Sequence, residues 1–255
     1  MIDVVDHGPV CELRLARPPV NALNPALMSA LRGALADAVV AKSGAVVLSG
    51  APGVFSAGLD VPALLALDRP TLRATWDLFF GLLSDLAHCP VPVAAALTGH
   101  SPAGGTVIAL FADHRVMAEG NFRVGLNEVQ VGLPVPAVLL RALTFLCGER
   151  HASRLAIAGL LVDPAEALRV GLIDEVVPAG EVVSRSIAWA TELLARPQKA
   201  MLATRALARQ PLQQAFASVD PSMIDGVVEQ WHSEETQAVL RALVARLGKK
   251  APTSA

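Results

Sequence analysis

Two loops of small residues combine the features needed to bind a developing negative charge. They are Gly53-Val-Phe-Ser-Ala-Gly-Leu-Asp60 and Gly99-His-Ser-Pro-Ala-Gly-Gly-Thr106, and each separates a predicted strand from a predicted helix. Glycine lets the backbone approach a ligand closely, and the first N–H groups of a helix have no partner within that helix. Two such loops that converge would supply paired N–H donors to an oxyanion, assisted by the positive end of a helix dipole. For either loop alone, a tight turn before a helix is the favoured interpretation.

Other reactive side chains give weaker indications. Cys147 lies in a predicted helix without an evident activating base, so we do not expect a thiol nucleophile. His100 lies in the second loop and either contacts a substrate or packs over the loop, and packing is the favoured interpretation. Asp113 and Arg115 are expected to pair with each other on a strand. The six histidines and three cysteines show no metal-ligand spacing, so no metal site is expected.

The elements that would position the two loops alternate between strands and helices. Asn24, Asp60 and Asp163 are each followed within two residues by proline, a pattern typical of a helix start. Glu166 would complete a capping box with Asp163. Such alternation predicts an α/β fold with stacked ββα units. The predicted strands are 10–15, 45–49, 91–97, 114–118, 122–124 and 172–177, and the predicted helices start at 24, 60, 71, 104 and 163.

Beyond Pro178 the chain has only helical patterns. The predicted helices cover 181–195, 197–209, 211–217 and 220–247, and residues 249–255 are expected to fray. The change in composition near residue 196 predicts two regions. Residues 1–195 would form the core with the site, and residues 196–255 would form a helical oligomerisation region.

Composition excludes several classes of protein. The net charge of −2, the scarcity of aromatic residues and the absence of tyrosine argue against nucleic-acid binding. No apolar run is long enough to span a membrane, and the N-terminus does not resemble a signal peptide. Three widely spaced cysteines suggest reduced thiols and a cytoplasmic location. Because 53% of the residues are apolar and only 17% are charged, part of the apolar surface is expected to cover a subunit interface.

Five motifs in a fixed order carry a family resemblance that covers residues 10–180 and continues as a helical pattern to the C-terminus. The chain resembles the crotonases (enoyl-CoA hydratases and isomerases), and more narrowly the mitochondrial-type 3,2-trans-enoyl-CoA isomerases. That resemblance implies a crotonase-like spiral of ββα units and a helical C-terminal region that forms a homotrimer or a hexamer of two trimers. The motifs are Pro18-Pro-Val-Asn21, Pro52-Gly-Val-Phe-Ser-Ala-Gly-Leu-Asp60, Ser101-Pro-Ala-Gly-Gly105, Gly125-Leu-Asn-Glu128 and Asp163-Pro-Ala-Glu-Ala-Leu-Arg-Val-Gly171.

The resemblance also implies roles for individual residues. The backbone N–H groups of Leu59 and Gly104 would form the oxyanion hole for a thioester oxygen. Glu128 would be the catalytic base, and Asn127 would orient it or the substrate. Burial of such a carboxylate raises its pKa, which suits a base near neutral pH. The remaining residues implied to bind the acyl-CoA substrate are Arg17, Val20, Ala22, Ser56, Ala57, Gly58, Asp60, His100 and Gly105.

The residue type at position 107 helps to distinguish a hydratase from an isomerase within this family. Crotonase hydratases typically carry a second glutamate at this place in the helix, whereas this chain has an apolar residue. One base, in a site kept dry by Val107 and Leu126, is sufficient to move a double bond in an unsaturated acyl-CoA of β-oxidation. The predicted function is therefore isomerisation of 3-enoyl-CoA to trans-2-enoyl-CoA, without a metal or redox cofactor, coenzyme A being part of the substrate. The alternatives are enoyl-CoA hydration, thioester hydrolysis, or acyl-CoA binding without catalysis.

Overall fold

The computed structural model describes the backbone of residues 1–250 and the side chains of residues 1–246. Strands β1–β9 form two sheets, with orders β1-β2-β3-β5-β7-β9 and β4-β6-β8. All pairs are parallel except β1 with β2. The strands are β1 (Ile2–His7), β2 (Val10–Leu15), β3 (Ala45–Ser49), β4 (Gly53–Val54), β5 (Val93–Leu97), β6 (Gly99–Pro102), β7 (His114–Ala118), β8 (Val124–Gly125) and β9 (Glu175–Val177).

Helices connect these strands and then continue alone. Short 3-10 turns cover Glu128–Val131, Ala179–Glu181 and Phe216–Ser218. The α-helices are α1 (Pro25–Val40), α2 (Val61–Leu65), α3 (Arg69–Ala87), α4 (Gly104–Leu110), α5 (Ala137–Ala158), α6 (Pro164–Arg169), α7 (Val182–Leu194), α8 (Gln198–Ala215), α9 (Pro221–Trp231) and α10 (Glu234–Lys250).

Three successive units share one connectivity. In each unit, a strand of the large sheet is followed by a strand of the small sheet and then by helix: β3-β4-α2/α3, β5-β6-α4 and β7-β8-α5. Parallel pairing stacks the units in sequence order. The predicted α/β fold of ββα units, followed by a helical C-terminal region, is confirmed. Residues 251–255, most of the tail expected to fray, lie outside the described residues, and α10 already includes residues 249 and 250.

The large sheet is buried on both faces, which explains its continuous apolar strands. In β3, Val46 and Leu48 belong to the main core with α1 and α3, whereas Ala45 and Val47 pack with α7. Within α1, the predicted stripe is buried at Leu27, Leu31 and Leu35 but only half-buried at Val39. The helix buries Met28 and Ala38 beside that stripe instead.

The predicted helix starts at Asn24, Asp60 and Asp163 are confirmed. The side chain of each accepts a hydrogen bond from the backbone N–H three residues later. The capping box at Asp163 is incomplete, because the Glu166 carboxylate binds the guanidinium groups of Arg154 and Arg169 instead of reaching back to the cap.

The C-terminal helices differ from the prediction in two places. The helices predicted at 197–209 and 211–217 are one helix, α8, with Pro211 inside it. Arg209 and Leu212 are buried on either side of that proline, and the helix continues although proline removes one of its hydrogen bonds. The helix predicted at 220–247 is interrupted between α9 and α10, where Ser233 Oγ accepts a hydrogen bond from Thr236 N–H in the manner of an N-cap.

The expected pair between Asp113 and Arg115 is wrong. Asp113 instead binds Arg205 at 2.8 Å and Arg209 at 2.9 Å, which anchors α8 to the core. Arg115 pairs with Asp174 at 2.8 Å. All three partners are distant in sequence, so local spacing gave no indication of them. Among the described helices, none has the length and apolar character that crossing a bilayer requires.

Candidate active site

A cavity of about 580 Å³ lies where the two glycine-containing loops meet the C-terminal helices. Its wall is mostly apolar. Of the residues that the sequence analysis assigned to the site, those that line the cavity are Arg17, Val20, Ala22, Ala57, Leu59, Asp60, Gly104, Asn127 and Glu128.

The two loops converge because the short strands that begin them, β4 and β6, are neighbours. Gly53 pairs with Gly99 in parallel, and a Cβ added to Gly99 would lie only 2.0 Å from the Gly53 carbonyl carbon. Gly58 has a φ of +85°, and a Cβ at this position would lie 3.0 Å from Gly104 N. A Cβ on Gly104 would lie 3.3 Å from Leu59 N. Glycine is therefore required here for the Leu59 and Gly104 amides to be adjacent.

The N–H groups of Leu59 and Gly104 donate to no acceptor within the part of the chain that the structure describes. Their neighbours are engaged: Asp60 N–H donates to Leu23 O at 2.9 Å, and Ala103 N–H donates to Gly125 O at 2.9 Å. Ala103 has φ +48° and ψ −122°, a backbone conformation that is costly for a residue with a side chain. Strain of this kind concentrates at sites where the chain direction matters for function.

Glu128 opens the 3-10 turn Glu128–Val131, just beyond β8. Its Oε2 is buried and has no hydrogen-bond partner among the described residues, and the same holds for Asn127 Oδ1. Desolvation by burial raises the pKa of the Glu128 carboxyl to about 7. A carboxyl group with this pKa is able both to accept and to return a proton near neutral pH.

Asp60 is the other carboxylate in the cavity wall, and it is already engaged. Its Oδ2 lies 2.6 Å from Arg17 Nη2, and its Oδ1 accepts a hydrogen bond from Ala63 N–H at 3.2 Å as the cap of α2. Arg17 Nη1 also donates to Ala22 O at 2.9 Å. Among the described residues that line the cavity, Glu128 is therefore the carboxylate without a partner.

Ser56, Gly58 and Gly105 support the loops from behind and are not part of the cavity wall. Ser56 Oγ donates to Asn21 O at 2.8 Å and accepts from Gly58 N–H at 3.2 Å. A Cβ on Gly105 would lie 2.6 Å from Ser56 O, so the two loops are in backbone contact at this point. Asn21, which was not predicted to belong to the site, is buried. It donates to Phe55 O at 3.0 Å and so joins the segment 17–22 to the loop 53–60.

His100, Val107 and Leu126 also lie outside the wall. His100 is exposed, and its ring packs edge-on against Phe122 with centroids 5.3 Å apart, in agreement with the packing interpretation. Val107 and Leu126, expected to keep the site dry, are buried in the core behind the cavity. Exclusion of water at the surface of the cavity therefore depends on other residues.

Part of the cavity wall is aromatic. Trp76 and Phe79 of α3 meet Trp231 of α9, and the rings of Trp76 and Trp231 are 6.1 Å apart in an edge-to-face arrangement. The C-terminal helices also line the cavity, through Val227, Trp231, Leu240 and Leu243. Their sequence pattern predicted helices but not a place in the site.

Other reactive groups in the described part of the chain do not form a second site. Within the described residues, no cluster of three or more His, Cys, Asp or Glu side chains is arranged to hold a metal ion. The three cysteines are free thiols, and burial raises the pKa of Cys147 to about 11, which keeps this thiol protonated near neutral pH.

Comparison with known proteins gives a consistent result. The model of the enoyl-CoA hydratase/isomerase family matches residues 6–239. The mitochondrial enoyl-CoA delta isomerase 1 of Homo sapiens is 31% identical over 241 residues, which cover 93% of this chain and 80% of the human protein. A probable enoyl-CoA hydratase of Mycobacterium avium is 34% identical over 196 residues, 76% of each chain.

Solved structures agree with the fold. The crystal structure of human mitochondrial delta3-delta2-enoyl-CoA isomerase superposes with a TM-score of 0.93 at 30% identity, covering 98% of this chain and 99% of the human chain. An enoyl-CoA hydratase/isomerase from Mycobacterium paratuberculosis superposes with a TM-score of 0.85 at 26% identity, covering 94% and 97% of the two chains.

Proposed function

Since this chain belongs to the enoyl-CoA hydratase/isomerase family, we propose that it is an isomerase that converts 3-enoyl-CoA thioesters to trans-2-enoyl-CoA thioesters. The observation that carries this proposal is Glu128 in the cavity wall, whose Oε2 is buried without a partner among the described residues and whose carboxyl pKa desolvation raises to about 7.

Glu128 is the proposed proton carrier. Its ionised carboxylate takes a proton from C2 of the 3-enoyl thioester, and the electrons of the broken C–H bond shift toward the thioester oxygen to give a dienolate. The carboxylic acid then returns a proton to C4, which places the double bond between C2 and C3. Substrate and product are isomers of equal oxidation level, so the proposed reaction uses no redox cofactor, and because backbone N–H groups are proposed to stabilise the oxyanion it uses no metal.

Leu59 and Gly104 are the proposed oxyanion donors. Their adjacent N–H groups have no competing acceptor in the described chain, so both are available to the thioester oxygen. Negative charge develops on that oxygen in the transition state, and fixed donors in a site that excludes water stabilise it more than water would. Removing one such donor typically costs between about 100-fold and 1,000-fold in kcat.

The rest of the cavity fits an acyl-CoA thioester. The apolar wall formed by Leu133, Leu139 and the aromatic residues would hold the acyl chain. Arg17, held by Asp60 and Ala22, would contact the coenzyme A portion, as would Ala57 and Val20.

Hydration of a 2-enoyl-CoA is the second candidate, because the mycobacterial relative is named as a probable hydratase. The family hydratases use two carboxylates, one for each part of the water molecule. Here the second carboxylate of the wall, Asp60, is bound to Arg17 and to the start of α2, which favours the reaction that needs one free base.

A paired assay tests the proposal. Purified protein is given a 3-enoyl-CoA, with formation of the conjugated thioester as readout, and separately a 2-enoyl-CoA, with loss of conjugation as readout. We expect isomerisation by wild-type protein and by Glu149→Gln, which changes an exposed glutamate outside the cavity, and a loss of at least about 100-fold in Glu128→Gln.

Each contrary result has a distinct meaning. Dominant hydration would assign the chain to the hydratases, and release of free coenzyme A would indicate thioester hydrolysis. Binding of acyl-CoA without turnover would indicate a protein that only binds the thioester. Isomerisation that survives in Glu128→Gln would overturn the single-base mechanism.

We also propose that the chain forms a homotrimer, alone or paired as a hexamer, in the cytoplasm. Helix α5 exposes Leu140, Phe145 and Ile157, and α8 exposes Leu207. Apolar side chains of this size favour contact with another subunit over contact with water. Sedimentation velocity at several protein concentrations measures the assembly, and a persistent monomer would contradict it.

A further inference from the structure

The carbonyl oxygen of Gly132 receives two hydrogen bonds from the C-terminal helices. Thr236 Oγ1 of α10 donates to it at 2.6 Å, and Gln230 Nε2 of α9 donates to it at 3.2 Å. Thr236 is fully buried, although it lies 104 residues from Gly132 in sequence. A hydroxyl group that is fully buried and donates to a backbone carbonyl indicates a specific structural role.

Ser233 completes this arrangement. Its Oγ donates to Thr236 Oγ1 at 3.0 Å and accepts from Thr236 N–H at 3.3 Å. The hydroxyl of Thr236 thus both accepts and donates, which fixes its orientation. We call Gln230, Ser233 and Thr236 the Gly132 clamp.

The clamp acts directly on the segment that carries Glu128. Gly132 ends the 3-10 turn that Glu128 begins, and its N–H donates to Val129 O at 3.2 Å. The next N–H, that of Leu133, donates to Glu128 O at 3.0 Å. Gly132 has a φ of +78°, and a Cβ here would lie 3.0 Å from Thr236 Cα, so the two backbones are in contact. The position of Gly132 therefore sets the position of the whole turn.

The position of the Glu128 carboxyl depends on this turn. Its Oε2 has no partner among the described residues, so the turn and the surrounding apolar packing determine where the carboxyl points. On the other side of the turn, Gln130 Nε2 donates to Gly159 O at 2.7 Å. The turn is thus held from two sides, by α10 and by the end of α5.

We propose that Thr236, supported by Gln230 and Ser233, is a positioning residue that holds the Glu128 turn in its reactive place, so that α9 and α10 contribute to catalysis in their own subunit. The inference rests on the proposed role of Glu128 as the base. The C-terminal helices then have a function in the site in addition to the oligomerisation expected from sequence.

The physical consequence of loosening the clamp has two parts. A turn that moves by about 1 Å misplaces the base, and a misplacement of this size costs up to about 100-fold in rate. A looser turn also admits water to the carboxyl group, which reduces the desolvation that raises the pKa of Glu128.

Two substitutions at one position separate positioning from simple packing. Thr236→Val keeps the shape of the side chain and removes the hydroxyl, whereas Thr236→Ser keeps the hydroxyl and removes the methyl group. We expect Thr236→Val to lower kcat by about 10-fold to 100-fold with KM changed by less than about 3-fold. We expect the pH at which kcat/KM reaches half its maximum to fall below the wild-type value. Thr236→Ser should keep both quantities near wild type.

Equal kcat and an equal pH profile in Thr236→Val and wild type would overturn the inference, as would equal loss in both variants. If wild-type protein does not isomerise 3-enoyl-CoA, the proposed function fails, and the clamp is judged without catalysis. In that case, the unfolding free energy of Glu128→Gln is subtracted from that of its parent at several pH values, once in wild-type protein and once in Thr236→Val. The two pH dependences of this difference are then compared. A dependence shifted to lower pH in Thr236→Val supports the clamp, and an unchanged dependence refutes it.

Discussion

Replacing Glu128 by glutamine is expected to stabilise the protein at alkaline pH while it lowers activity by at least about 100-fold. Burial raises the pKa of the Glu128 carboxyl from an ordinary value of 4.5 to about 7. This difference, multiplied by about 1.36 kcal/mol per pKa unit, corresponds to roughly 3 kcal/mol of penalty on the ionised form in the folded state. Glutamine carries no charge at any of these pH values, so Glu128→Gln avoids the penalty.

The sign of the effect follows from the direction of the shift. Because the folded state binds the Glu128 proton more tightly than the unfolded state, the contribution of this group to stability is complete below about pH 4.5 and is lost as the pH rises through about 7. The difference in unfolding free energy between Glu128→Gln and wild type should therefore grow by roughly 2 to 3 kcal/mol, in favour of the variant, between pH 5 and pH 9.

Urea unfolding at the two pH values, with circular dichroism as readout and a fixed protein concentration, measures this difference. Glu149→Gln, at an exposed position on α5, serves as the matched control for exchanging a glutamate for a glutamine. A difference between Glu128→Gln and wild type that stays constant from pH 5 to pH 9 would refute the reasoning, because it would mean that the folded protein does not penalise the ionised carboxyl.

Two further predictions concern the donors and the acyl pocket. Gly104→Ala should lower kcat by about 100-fold or more in a steady-state assay, because the added Cβ would lie 3.3 Å from Leu59 N, the other proposed oxyanion donor. Gly33→Ala is the control: a Cβ at that position has open space around it and should leave kcat unchanged. Phe79→Leu should raise kcat/KM for longer acyl chains relative to shorter ones, by up to about 4-fold for each newly buried methylene, because Phe79 lines the cavity. Phe80→Leu alters the same aromatic cluster outside the wall, so a chain-length series with an equal shift in both variants would contradict this role.

The features that could be predicted from sequence are encoded over short distances. Asn24 and Asp163 cap their helices through a backbone N–H only three residues away. The strand 45–49 was predicted with its observed bounds because burial on both faces leaves an uninterrupted apolar run. The two loops were recognised because glycine is needed where the backbones of Gly53 and Gly99 approach each other. In each case a few neighbouring residues contain the information.

The features that were missed depend on contacts between distant segments. Asp113 binds two arginines of α8 more than 90 residues away, and no local pattern distinguishes it from an acid paired on its own strand. Trp231 and Thr236 have the pattern of ordinary positions in a long helix, although Trp231 lines the cavity and Thr236 binds the Gly132 carbonyl. Periodicity shows that a helix has a buried face but not what that face covers.

The ion pair at Asp60 shows how such a distant contact bears on the choice of reaction. Two carboxylates, Asp60 and Glu128, line the cavity, and the family hydratases also use two. The Arg17 guanidinium, 43 residues away in sequence, lies 2.6 Å from one oxygen of Asp60, and the start of α2 uses the other. Glu128 has no such partner among the described residues, and burial keeps its pKa near 7. Two carboxylates in one cavity are thus placed in different environments, and groups separated in this way take different roles: Asp60 orders the loop, and Glu128 is left to carry the proton.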